Sequence, residues 1–115
     1  MPMSYWPSII DSQGEKTNPT TTTVMADTGA LPTGVYDVTV IFSTEANAQF
    51  QVEHRNAAND GNVSDVAIYY ALANASVAPA IIRYATGQRN ERFRVMLNQN
   101  LTGVAAVTIE AHRVC

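Results

Sequence analysis

From Tyr36 to Ala111 apolar side chains return at every second position, and no helical period lasts longer than two turns. A period of two puts alternate residues on opposite faces of a strand, so this chain must fold as sheets with one face buried. The alternating sets are Tyr36, Val38, Val40 and Phe42; Phe50, Val52 and His54; Val66, Ile68, Tyr70 and Leu72; Glu91, Phe93, Val95 and Leu97; and Ala105, Val107, Ile109 and Ala111. A further short strand is expected from Ala80 to Thr86, between Pro79 and Gly87. Polar turns at Thr44 to Ala48, Asn56 to Asn62 and Asn98 to Gly103 separate the runs. About six or seven strands broken this often predict an all-β fold, a small antiparallel β-sandwich that is jelly-roll-like.

Two runs read as tight hairpins. Placing Phe42 opposite Phe50 and Val40 opposite Val52 on one face leaves Thr39 opposite Glu53 and Asp37 opposite Arg55 on the other. Likewise Phe93 meets Ile109 and Val95 meets Val107, with Arg92 opposite Glu110 outside. Each register satisfies core and charges together.

Residues 1–28 behave differently. They carry Pro2, Pro7 and Pro19, a polar middle and the run Thr20 to Thr23, without a long period of either kind. They are expected to form an extended N-terminal arm, with one short β segment around Thr21 to Ala26, and residues 29–115 to form the sandwich body. Tyr5, Trp6, Ile9 and Ile10 make an apolar cluster with no periodic partner inside the arm. We expect them to anchor it in an external groove, on a neighbouring subunit or a larger assembly, and removal of residues 1–19 to leave a folded body that no longer binds there.

The length of 115 residues accommodates one domain. Charged residues are 15% of the chain, below the roughly 25% usual in soluble domains. This deficit points to surface hidden in an assembly, with Met96, Tyr69 and Tyr70 as candidates. A formal net charge of −3 offers no field to attract nucleic acid or an anionic membrane. No apolar run approaches the roughly 20 residues of a membrane-spanning helix, and the first residues lack the pattern of a secretory signal. The lone Cys115 has no intrachain partner, so the fold is not expected to rely on disulfides.

The residues suggest no enzyme. His54 and its neighbour Glu53 belong to opposite strand faces, and His112 with Cys115 lacks the further ligands a metal needs. Both histidines are expected at the surface or rim. The glycines form no phosphate-cradling loop, and the predicted registers bring no pair of carboxylates together. Catalytic, cofactor and metal residues are accordingly not expected. Arg83, Arg89, Arg92 and Arg94 fall within a short stretch, and arginine favours planar ion pairs at interfaces. They are candidates for pairing within or between subunits.

The stretches Gly34-Val-Tyr-Asp-Val, Phe50-Gln-Val-Glu-His-Arg-Asn-Ala-Ala-Asn-Asp60, Glu91-Arg-Phe-Arg-Val95 and Asn100-Leu-Thr-Gly-Val-Ala-Ala-Val107 resemble small β-sandwich domains of tailed-bacteriophage virion proteins. The resemblance covers about Gly29 to Val114 and leaves out the arm. It implies a homotrimeric capsid decoration (cement) protein, made in the host cytoplasm and placed on the capsid surface, whose partners are itself and the major capsid protein or another virion protein. A collar, neck or tail-associated fibre protein would use the same body. A glycan- or receptor-binding module is a different class, and it would gather Tyr5, Trp6, Tyr69, Tyr70 and Tyr84 in one groove.

Overall fold

The computed structural model describes residues 8–44, 46–63, 67–71 and 80–115. Among the described residues there are eight strands: β1 (Ser8–Thr17), β2 (Val24–Asp27), β3 (Val35–Thr44), β4 (Ala48–Arg55), β5 (Ala67–Ala71), β6 (Ala80–Ala85), β7 (Arg92–Leu97) and β8 (Val104–Arg113). One antiparallel sheet has the order β1-β8-β3-β6 and the other β2-β7-β4-β5; we call them sheets A and B. Within them β1 pairs with β8, β2 with β7, β3 with β6 and β4 with β5. That nesting is one long antiparallel hairpin, rolled until β8 also meets β3 and β7 also meets β4. The result is a jelly roll, an eight-stranded double sheet.

The inward sets predicted for the central strands form the core. Val38, Val40 and Phe42 from β3 and Val107, Ile109 and Ala111 from β8 face Phe50 and Val52 from β4 and Phe93, Val95 and Leu97 from β7, all of them buried. The Phe42 and Phe50 rings stack with centroids 4.6 Å apart, and Phe50 stacks in turn on Tyr69. Interdigitation of this kind is how two inner faces fill the roughly 10 Å between packed sheets.

Both predicted hairpins are corrected. β3 lies in sheet A and β4 in sheet B, and the same separation holds for β8 and β7. Phe42 therefore meets Phe50 across the sandwich instead of beside it in a ladder. Outside, Asp37 lies opposite Arg83 and His112, not Arg55, and Glu53 lies opposite Arg94, not Thr39. Arg92 lies opposite Arg55, and Glu110 opposite Thr39. Alternation fixes which face a residue takes; it carries no information on which strand lies beside it. The residues between β3 and β4 are enough to cross from one sheet to the other, at about 3.3 Å per residue.

The division at residue 28 is also corrected. β1 is an edge strand of sheet A along β8, and β2 an edge strand of sheet B along β7. The β segment expected near Thr21 to Ala26 is β2. The missing long period in this stretch has a local cause: the β1 register shifts between Ser12 and Glu15, where Gly14 takes a φ of 74°. A bulge inserts a residue and breaks the alternation. Asp11 then ties the two sheets at this edge, its carboxylate accepting the Asp27 N–H at 2.8 Å. The turns after β1 and β7 also join, with Asn18 N–H donating to Gly103 O and Leu101 N–H to Pro19 O.

Candidate functional site

At one end of the core the alternation brings two ionisable residues inward. His54 follows Phe50 and Val52 on β4, and Glu91 precedes Phe93 and Val95 at the start of β7. His54 Nε2 donates to Glu91 Oε1 at 2.7 Å, with both side chains 4% exposed. The same carboxylate accepts the Gln88 N–H on Oε2 at 2.7 Å and the Gly87 N–H on Oε1 at 3.3 Å. The imidazole also packs on Phe93, with ring centroids 4.7 Å apart. A buried carboxyl group is retained where it is hydrogen-bonded, and this one meets His54 and two backbone N–H groups. Its role is to pin the turn between β6 and β7 to β4. Sequence reasoning placed His54 at the surface or rim; the signal it passed over was a His and a Glu at inward positions of two strands.

A network on the outer face of sheet B takes up the other buried acid. Glu53 accepts from Arg94 on β7 and from Gln51 on its own strand. As expected, Glu53 and His54 serve opposite faces. Beside them the Arg55 guanidinium donates to Asn59 Oδ1, Asn59 O and Asn62 Oδ1, and so becomes the internal cation around which the Asn-rich loop 56–62 is wrapped. Asn59 takes a φ of 56° there, a conformation asparagine tolerates better than most residues.

The four candidate arginines are not one patch. Arg83 lies on the outer face of sheet A and grips Asp37 through two bonds, 2.8 and 3.1 Å. The Arg83 guanidinium holds the Asp37 carboxyl below the usual carboxylate range, with His112 adding to the effect. Arg89 is in the exposed turn between β6 and β7, where it helps line an open cleft of about 480 Å³ with Leu31, Pro32 and Asn90. Arg92 and Arg94 sit on the outer face of sheet B, Arg92 near Asp27 at 3.5 Å and Arg94 on Glu53. Pairing within the subunit thus accounts for Arg83 and Arg94.

Of the apolar anchor, Tyr5 and Trp6 lie outside the described residues. Ile9 and Ile10 occupy successive register positions in β1, opposite buried Ala111 and half-exposed Glu110. Both therefore belong to a strand of the sandwich. Tyr69 is half-buried and stacks on Phe50 of the core, and the side chains of Tyr70 and Tyr84 lie outside the described residues. Met96 is buried, and among the described residues the large apolar side chains that stand exposed are Ile41 at 46%, Ile68 at 50% and Val63 at 46%. His112 and Cys115 are exposed, and among the described residues no three His, Cys, Asp or Glu side chains gather as a metal site needs. Compared with known families and with curated proteins, the chain matches no family model and no individual protein.

Proposed function

We propose that this chain is a structural virion protein of a tailed bacteriophage, a homotrimer that decorates the capsid and stabilises the head. The observation that carries the reading is the placement of apolar and ionisable groups. His54, Glu91, Glu53, Arg94 and Arg83 are engaged in joining strands and turns of one subunit, while Ile41 and Ile68 stand exposed on the outer faces of the two sheets. Rigid sheets with apolar residues facing out suit packing against copies and neighbours better than they suit chemistry. The segments that resemble virion β-sandwich domains fall on β3, β4, β7 and β8, the inner strands of both sheets.

Size supports the same reading. A cyclic trimer gives each subunit two interfaces, and at about 800 Å² per partner for each they take about a quarter of an accessible surface of 6329 Å². A chain with little surface charge sustains that burial at small desolvation cost.

Light scattering on the purified chain at micromolar concentration tests the assembly. A mass three times 12.5 kDa is expected, and Ile68→Glu should lower it. A monomer under the same conditions would contradict the trimer.

A further inference from the structure

We propose that Arg55 and Arg92 form a receptor for a carboxylate presented by another protein surface, at the end of the outer face of sheet B beside loop 56–62. The two arginines are register partners across β4 and β7. Both are half-exposed and alternate with buried His54 and Phe93, so their side chains share the outer face. Like charges directly opposite in a sheet repel. Two positions along the same pair of strands this is avoided, where Glu53 lies opposite Arg94.

The hydrogen-bond inventory shows what is missing. A guanidinium has five N–H donors. Arg55 gives three to the neutral oxygens of Asn59 and Asn62, at 2.9 to 3.1 Å, and two remain. Arg92 has Asp27 Oδ2 at 3.5 Å from one Nη, and its Nε is buried without a hydrogen-bond partner among the described residues. A buried donor of a charged group left unpaired is costly, and native proteins seldom retain one without a reason. The Asp27 contact is at the limit of a hydrogen bond, and binding would turn the Arg92 guanidinium to present Nε together with an Nη. A carboxylate has the planar pair of oxygens that this fork accepts, and it also relieves the repulsion from Arg55. Arg55 is already fixed by its loop, which lowers the ordering cost of binding. The inference does not depend on the virion reading.

The test follows the arginine Nε–H resonances of the ¹⁵N-labelled full chain during titration with tetraglutamate, with tetraglutamine as the control. Arg92 Nε–H should shift saturably with tetraglutamate while those of Arg83 and Arg94 stay in place, and tetraglutamine should do nothing. Arg92→Gln should weaken binding about tenfold, and Arg92→Lys should fail to restore it, since lysine keeps the charge without the fork. No saturable shift at Arg92, or equal shifts at Arg83 and Arg94, would overturn the proposal. A dilution series without peptide identifies the source. Arg92 Nε–H moving with protein concentration assigns the carboxylate to a second copy, and a constant resonance assigns it to a different protein. Light scattering on the same samples reads the trimer separately.

Discussion

His54 Nε2 and Glu91 Oε1 are 2.7 Å apart inside the sandwich, and through them the turn between β6 and β7 is fastened to β4. Removing the carboxylate also strands the Gly87 and Gln88 N–H groups. Glu91→Leu should therefore destabilise the protein by about 3–5 kcal/mol, in the range for breaking a buried pair. His54→Leu should cost less, because Glu91 keeps its two backbone donors. The double variant should fall short of the sum of the singles by about 0.5–3 kcal/mol, measured by urea unfolding. Strict additivity would mean that the contact contributes nothing.

Phe93 is fully buried against Tyr36 and His54. Phe93→Ala should cost about 3–5 kcal/mol. Its neighbour Arg92 faces outward with a loose contact to Asp27, and Arg92→Ala should cost under about 1 kcal/mol. Reversed magnitudes in the same unfolding assay would mean that the faces of β7 are exchanged.

The ion pair on sheet A makes a pH prediction. Asp37 has its carboxyl pKa lowered from 3.8 in the folded protein, chiefly by its bonds to Arg83. A depressed folded value gives stability that is fully present above the unfolded value and fades as pH falls through the folded one. The acid limb of a stability profile below pH 3.8 should accordingly be shallower in Asp37→Asn than in the native chain. Identical limbs would place the acid sensitivity elsewhere.

Deletion of residues 1–19 should not leave a healthy body, contrary to what an arm would predict. It removes β1 and exposes the edge of β8, a ten-residue strand. Long unpaired edges recruit other chains. We expect lost cooperativity or aggregation, read by circular dichroism and light scattering; a monodisperse truncated protein with unchanged melting would show that β1 contributes nothing to the fold.

Much of the fold was legible because period-two alternation reports burial directly. Val38, Val40, Phe42, Phe50, Val52, Phe93, Val95, Val107 and Ile109 are all inside, as the pattern requires. Strand pairing was not legible, since Phe42 can satisfy Phe50 equally well as a ladder neighbour or across a sandwich. The same ambiguity misassigned Asp37 and Arg92, whose acid–base complements occur on several strands. β1 was hidden by its bulge at Gly14 and by a short run of polar residues. At the site, Glu91 shares the alternation of Phe93 and Val95, yet its bond to His54 joins residues 37 apart in sequence. Only the three-dimensional rolling of the hairpin brings them together.

Quantitative mass spectrometry of purified phage particles, searched for this chain, tests the proposed decoration role most directly. Hundreds of copies per particle are expected, in a multiple of three and in fixed ratio to the major capsid protein. About a dozen copies would assign the chain to a connector or fibre, and its absence from particles would contradict a virion role altogether.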